Sequence, residues 1–410
     1  LFTSLLAGSY PAFYLSSFKP VSIFKQQFKR SNAAVTPRKV LVVLQFSFAI
    51  ILIVSTLVVR NQIQYAQDRD KGYSNDNLLQ VDFVGDIDKN YFLIKQELFN
   101  SGIASSVTKS MTGLVDGGAH AWGLRWQNES PPDTNTTITL YSEDADLVKT
   151  ARLHLIAGRD IDIYKYRSDS SSVILNETAV KLMGFKEPLG QIINEPYNNR
   201  QLHVVGVVKD YIIGSPYDKI PPMVIEGPGS WFTGMHIKFN PALPTERALA
   251  KTEQIFKNYN PAYPFDYKFV DEEYAKKFDD EQRTKTMAGL FAALAVFISC
   301  LGLFGLSAYV AESRIKEIGV RKVLGASAFS ITRLLSIDFV KLVFIAIVIA
   351  APVAWYGMNR WLENYTYKIN IGAGVFLVAG FLAVMIALVT VSFQAIKAAM
   401  TNPVKSLRTE

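Results

Sequence analysis

The sequence predicts a mixed membrane protein: an α-helical transmembrane bundle of four full spans plus the end of a preceding one, with a large inserted α+β extracytoplasmic domain. Three observations predict it. Four apolar runs, Val40 to Val59, Thr286 to Ala311, Leu342 to Asn359 and Ile369 to Ile396, contain no charged residue, and a span needs about 20 such residues. Lysine and arginine concentrate in the short loops at one end of those runs. Between the first and second run, Asn61 to Lys285 changes to short alternating segments broken by turn-rich stretches.

Each apolar run is read as a helix; the third is the shortest and draws on Ile337 to Val340 before Lys341. Cytoplasmic loops are enriched in Lys and Arg near the membrane, which sets orientation. Ser9 to Lys39 holds Lys19, Lys25, Lys29, Arg30, Arg38 and Lys39 without an acid, and Glu312 to Arg333 holds Arg314, Lys316, Arg321, Lys322 and Arg333 against Glu312 and Glu317. Both are therefore expected in the cytoplasm, with the tail carrying Lys397, Lys405 and Arg408. The loop around Arg360, Glu363 and Lys368 is nearly balanced and is expected to face outward, as is Asn61 to Lys285. The net charge of +7 thus belongs to juxtamembrane loops beside anionic lipid, and no nucleic-acid partner is expected.

The expected organisation is a basic linker at 1–39, a span at 40–60, the extracytoplasmic domain with its stalk at 61–284, a three-helix membrane part at 285–397 and a tail at 398–410. Within the domain, period-2 alternation predicts strands at Leu78–Phe83, Thr137–Tyr141, Ser172–Leu175, Leu202–Val208, Met235–Phe239 and Asp266–Val270. Period-3.6 patterning predicts helices at Tyr91–Asn100, Glu177–Met183 and Thr245–Asn258. From Asp271 to Arg283 no breaker intervenes, so one continuous helix is expected to run into the second span and, with Arg60 to Gln67, to form a stalk. Turns are expected at Ser130 to Asn135 and Glu226 to Ser230. The single cysteine, Cys300, lies inside an apolar run, so no disulfide is expected.

Ser9-Tyr-Pro-Ala12 leading to Pro20-Val-Ser-Ile-Phe-Lys25 aligns without gaps on Ser392-Phe-Gln-Ala395 leading to Pro403-Val-Lys-Ser-Leu-Arg408. In that register Leu1 to Gly8 falls on Val384 to Val391, and the chain reads as the second half of a duplicated protein.

Catalytic signatures are not found. No Gly-Lys pair exists for a phosphate-binding loop. His120, His154, His203 and His236 lack zinc spacing, and Ser168 to Ser172 lacks a nucleophile elbow. Asp160 and Asp162 read as loop caps. Gly302 and Gly305, near Ser299 and Ser307, read as close helix packing. No catalytic residue, metal or cofactor is expected.

The most informative segment is Glu312-Ser-Arg-Ile-Lys-Glu-Ile-Gly-Val-Arg-Lys-Val-Leu-Gly-Ala-Ser327, a basic amphipathic stretch between two membrane-length apolar runs. By composition alone it suits an interfacial helix. Its ordered string Glu317-Ile-Gly-Val-Arg-Lys-Val-Leu-Gly-Ala-Ser327 resembles the segment after the second transmembrane helix of FtsX/MacB-type ABC transporter permeases. Ala157-Gly-Arg-Asp-Ile161, Val173 to Val180, Glu187-Pro-Leu-Gly190 and Val205 to Tyr211 resemble, in order, the MacB-type periplasmic core domain. That resemblance implies a non-catalytic permease subunit in a bacterial inner membrane, a separate ABC-type ATPase partner, and a coupling segment at 312–327. In it Arg314, Glu317, Arg321 and Lys322 serve polar contact, Ile318 and Val320 pack into the ATPase cleft, Gly319 and Gly325 allow close approach and a turn, and Ser327 caps the next helix. It also implies a homodimer or pseudo-dimer with the missing half, and an adaptor or outer-membrane channel as further partners. The alternative function is an FtsX-like mechanotransmitting scaffold or sensor that controls a periplasmic partner.

Overall fold

The computed structural model describes residues 35–127, 137–196, 199–229 and 231–400. The expected end of a preceding helix, the linker basic residues Lys19 to Arg30, the repeat pairing of Ser9 to Lys25, the turn Ser130 to Asn135, Ser230 and the tail with Lys405 and Arg408 lie outside the described residues.

Four helices are long and apolar enough to cross a membrane: α1 (Val35–Gln67), α7 (Asp279–Ser313), α9 (Ala328–Leu362) and α10 (Ala373–Met400). At 1.5 Å per residue, the 33 residues of α1 and the 35 of α7 extend for about 50 Å, well beyond a hydrocarbon core of ~30 Å. Backbone polar groups have no water to bond there, so helices satisfy them internally.

The chain divides into two compact units. One comprises the described residues before 58, Ala288–Gly357 and those from Ile371 on. Lipid is as apolar as leucine, so helices in it associate through close approach of small residues. In α9, Ala346, Ala350 and Ala354 form a buried ladder at i, i+4 spacing, and Ala379, Ala383 and Ala387 do the same in α10, continued by Val391 and Ala395. Ser47 of α1 donates from Oγ to the Ala346 carbonyl at 3.3 Å. Gly302 of α7 lies so close to α1 that a Cβ there would collide with the Gln45 side chain, whereas Gly305 faces open space. Of that expected pair, only Gly302 permits close packing. Ser299 and Ser307 are buried and bond back to Ala295 and Phe304 of their own helix.

The second unit, Val58–Met287 with Met358–Asn370, is the α+β domain, its stalk and one loop. Its first sheet is antiparallel, ordered β12-β1-β11-β2 from β1 (Leu78–Asp82), β2 (Ala104–Ser110), β11 (Gly234–Phe239) and β12 (Lys268–Phe269). Helices α2 (Tyr91–Asn100) and α5 (Thr245–Tyr259) cover it. Tyr91, Ile94 and Leu98 share the inner face of α2 and join Leu79, Val81, Val107, Ile237 and Phe256 in one core.

The second sheet is mixed and runs β3-β5-β10-β7-β9-β8-β4, with β6 also on β9. Its strands are β3 (Ala119–Ala121), β4 (Arg125–Trp126), β5 (Ile138–Ser142), β6 (Leu155–Gly158), β7 (Ser172–Asn176), β8 (Ile192–Glu195), β9 (Arg200–Val208) and β10 (Met223–Glu226). β7 pairs parallel with β9, and β10 parallel with β5. α4 (Glu177–Met183) starts at Asn176, whose side chain accepts the Ala179 amide at 2.9 Å, and packs Ala179 and Met183 on Val173, Leu175 and Val224. The short α3 (Leu147–Ala151) is capped by Asp160, whose Oδ2 accepts the Val148 and Lys149 amides at 3.0 and 3.4 Å.

Asp144, buried after β5, joins the sheets. Its carboxylate accepts from the amides of Lys109 and Ala145, from Thr108 Oγ1 and from the hydroxyls of Tyr91 and Tyr164. Fully buried Glu143 beside it accepts only the Leu147 amide, at 2.8 Å, while its Oε1 has no partner. Burial, with Asp160 next in effect, pushes the Glu143 carboxyl well up, and burial pushes Asp160 up to about 7 against the amides that bond it. His236 is buried; Nε2 accepts the Leu114 amide at 3.2 Å, so Nδ1–H donates to Ser110 Oγ at 2.9 Å, and burial lowers its pKa to about 4.

At the base of the domain, Gln62 of α1, with no exposed surface, grips the loop 358–370. Its Nε2 donates to the Tyr367 carbonyl at 2.8 Å and its Oε1 accepts the Ile369 amide at 3.0 Å. This holds Ile369 outside the fourth membrane helix, which begins at Ala373 and not at the expected Ile369. Arg69 stacks 3.6 Å over the Tyr367 ring and donates to the Pro216 carbonyl. Tyr217 packs on Tyr365 and Phe278, with centroids at 4.9 and 5.8 Å. Phe278 corrects the continuous helix expected from Asp271: α6 (Val270–Lys276) stops and α7 starts at Asp279, because Phe278 turns inward and is 1% exposed.

Gln62→Ala leaves two buried backbone groups unpaired, a loss of about 1 to 3 kcal/mol, and is expected to speed amide exchange at Ile369 by tenfold or more; unchanged protection would show that the grip does not hold the loop. For the buried acids the sign is as follows. A carboxyl raised in the fold keeps its proton where the unfolded chain has lost it, so stability present at low pH falls as pH rises through the folded value. His236, lowered in the fold, acts oppositely and only below its unfolded value of 6.5. From pH 6.5 to 8 the acids therefore act without it, and the melting temperature of the full chain is expected to fall. Glu143→Gln, which mimics the protonated acid, should flatten that slope; an unaltered slope would assign the titration elsewhere.

Candidate functional site

The segment between α7 and α9 folds as a short helix of its own, α8 (Ile315–Val323), set off from α7 by a turn at Arg314. Nine residues are too few for a stable isolated helix, so its ends and buried face must hold it. At its C-terminus Gly325 has φ +90°, a conformation open to glycine, and the Ala326 amide bonds to the Arg321 carbonyl at 2.9 Å. That six-residue closure is a Schellman motif. Ser327 then caps α9, accepting the Ser330 amide on Oγ at 3.2 Å.

The two faces of α8 differ. Ile318, 6% exposed, joins Ile331 and Leu335 of α9 and Ala395 of α10, with Val310 and Ala326 against them. This corrects the expectation that Ile318 enters a partner's cleft: its side chain fills the chain's own core, because one face of an amphipathic helix must be covered. Gly319 is buried as well. On the opposite face, Glu317, Val320, Arg321 and Leu324 follow at i, i+3, i+4 and i+7 and are exposed, Val320 at 50% and Leu324 at 80%. Glu317 and Arg321 pair at 2.9 Å, both with nearly half their side-chain surface in solvent, a pair of small energetic weight. The side chain of Lys322 lies outside the described ones.

Arg314 does not join that face. Its Nη2 donates to Asp338 Oδ2 of α9 at 3.2 Å, a half-exposed pair that sets the turn between α7 and α8 against α9. Asp338 is a residue that the sequence reading missed. The signal was an acid in the apolar approach to the third span, on the same side of α9 as Ile331 and Leu335 by i, i+3/i+4 spacing. Arg38 of α1, stacked 4.5 Å from the Tyr309 ring centroid, was missed too. Beside α8 a cavity of about 240 Å³ is lined by Arg321, Ser330, Ile331, Arg333 and Ile337 among others. Exposed Val323 and Phe329 extend the apolar surface around it. The arrangement suits contact with another macromolecule: an apolar strip edged by charges. Among the described residues of the chain no cluster of His, Cys, Asp or Glu has the form of a metal site.

The segment that holds α8 lies within a stretch that known proteins match. Residues 289–403 match the family described as FtsX-like permease C-terminal. The macrolide export ATP-binding/permease protein MacB of Aggregatibacter actinomycetemcomitans is 25% identical over 224 residues, 51% of this chain and 34% of its own. The chain thus spans about a third of the length of that curated relative. Among solved structures, the periplasmic region of MacB from Actinobacillus actinomycetemcomitans is similar at 16% identity and TM-score 0.36, covering 52% of this chain and 96% of that one. The extracellular domain of the noncanonic ABC-type transporter YknZ from Gram-positive bacteria is similar at 14% identity and TM-score 0.33, covering 47% and 98%. Residues 289–403 are thus an FtsX-like permease C-terminal part, in a chain that is also similar in sequence to a MacB relative.

Proposed function

We propose that the chain is the membrane subunit of an ABC transporter that couples ATP hydrolysis, on a separate ATPase chain, to movement of a periplasmic domain that exports or releases a substrate. The observation that supports this reading is the two-faced helix α8. Ile318 anchors it to α9 and α10 while Glu317, Val320, Arg321 and Leu324 remain available to a partner. A pull on that exposed face passes through the Arg314–Asp338 pair and the Ile318 cluster into α7 and α9. No Gly-Lys pair occurs in the sequence, so in this reading the ATP-hydrolysing site lies outside these residues. The basic loops support a cytoplasmic position for α8, and with it an inner-membrane location. Association with a second copy or a related half, and with an adaptor or outer-membrane channel, belongs to the same proposal.

Glu317→Arg reverses the charge of an exposed residue without touching the core, and is expected to lower transport-coupled ATPase activity at least tenfold at unchanged amounts in the membrane. A cysteine at Val320, in a Cys300→Ser background, is expected to cross-link to an ABC ATPase in native membranes. Normal coupling in Glu317→Arg, together with no ATPase adduct at position 320, would favour the scaffold or sensor reading instead.

A further inference from the structure

The α+β domain holds a second concave site that the coupling mechanism does not use. Three loops meet there: 70–74 after α1, 152–154 between α3 and β6, and the residue that follows β9, Lys209. Backbone bonds fix them to one another, the Ser74 amide to the Ala151 carbonyl at 2.9 Å and the Lys209 amide to the His154 carbonyl at 2.8 Å. Between them is a cleft of about 430 Å³ whose polar lining is Asp70, Ser74, Arg152, His154 and Lys209, a volume in the range of small-molecule sites.

Its charge is lopsided. Asp70 is the one acid in that lining, and it is committed, accepting the Gly72 amide at 3.0 Å and Lys209 Nζ at 3.2 Å. Among the described residues neither the Arg152 guanidinium nor the His154 ring makes a hydrogen bond or ion pair. Behind the cleft, Lys238 is 3% exposed and spends its ammonium on Ser74 Oγ and the carbonyls of Ser74 and Asp76. Burial, and after it the Arg152 cation, hold the Lys238 pKa below its usual value; an anion in the cleft would offset that repulsion.

Arg152 is also placed against backbone preference. It ends α3 with φ 52° and ψ 44°, the left-handed position where helices usually carry glycine, and a side chain there costs about 1 kcal/mol. A strained arginine at the rim of a concave, cationic site is an outlier with a functional reading: the strain sets a forked donor in the same lining as Lys209, and guanidinium forks match tetrahedral oxyanions.

We propose that this cleft binds a phosphate group, with Arg152 as the principal ligand and Lys209 and His154 completing the donor set. The group comes either from a soluble phosphomonoester or from a phospholipid headgroup. The proposal stands apart from the coupling role of α8.

The test uses the full chain in phosphatidylcholine nanodiscs at fixed ionic strength, with amide exchange at residues 152–154 and the melting temperature as readouts. Inorganic phosphate and glycerol 3-phosphate are titrated against acetate; in a second arm phosphatidylglycerol replaces part of the lipid. Protection by the soluble phosphates identifies a soluble ligand, and protection by phosphatidylglycerol alone identifies the headgroup. In the responding arm Arg152→Gly, which relieves the strain and so keeps or raises the melting temperature without ligand, is expected to weaken binding tenfold or more, and Lys209→Gln to weaken it less. The proposal fails if neither arm responds, if acetate acts as phosphate does, or if Arg152→Gly responds like the unmodified chain.

Discussion

A single glutamine side chain carries the junction on which the extramembrane half of this molecule depends. Gln62 closes both of its hydrogen-bonding ends on the backbone of the loop 358–370, in a position with no access to water. The physical demand is the ordinary one for buried polar groups: each must be paired, and a failure costs more than a success contributes. What matters is which groups are paired. α1 continues as one helix past its apolar stretch to Gln67, and the loop joins α9 to α10. Through Gln62, Arg69 and the Tyr217 aromatic cluster, the stalk and that loop are parts of one compact unit with the α+β domain.

The aromatic cluster also decides where the second stalk helix begins. Tyr217, Tyr274, Tyr365 and Phe278 meet edge to face, a geometry preferred by aromatic quadrupoles. To reach it Phe278 must leave the helical path that Asp271 to Arg283 otherwise favours. Local sequence shows an unbroken helix-forming run there; the competing term is a tertiary contact with Tyr217, far earlier in the chain, which no window of sequence contains.

Much of the architecture was legible for physical reasons. The membrane helices follow from the cost of backbone polar groups in hydrocarbon, and α2 and α4 occur at Tyr91–Asn100 and Glu177–Met183 as expected, the second because Asn176 and Gly184 mark its ends. Strand β2 was not legible. Ala104–Ser110 is mostly polar, yet Ser106, Thr108 and Ser110 are buried because Thr150, Asp144 and His236 meet them with hydrogen bonds. A strand that faces a hydrogen-bonded layer has none of the apolar alternation that pattern reading requires. The segment 312–327 was legible as a string and less so as a surface: nothing local distinguishes Ile318, which is covered, from Val320, which is half exposed, until α9 and α10 supply the covering side chains.

That division of α8 into an anchored and a free face sets what the segment can do. A helix lying loosely at the headgroups would slide or fray under load, since nine residues have little cohesion of their own. Here the Schellman closure at Gly325, the Ser327 cap and the Arg314–Asp338 pair bind both ends to longer helices, and Ile318 ties the middle to α9 and α10. Displacing the exposed strip therefore requires moving α7 and α9 with it, or breaking several contacts at once. Close-packed interiors respond to such loads by shifting between discrete arrangements more readily than by stretching. The polar pair Glu317–Arg321 adds little to that stiffness, so the exposed strip and the contacts that anchor it rest on different residues of the same short helix.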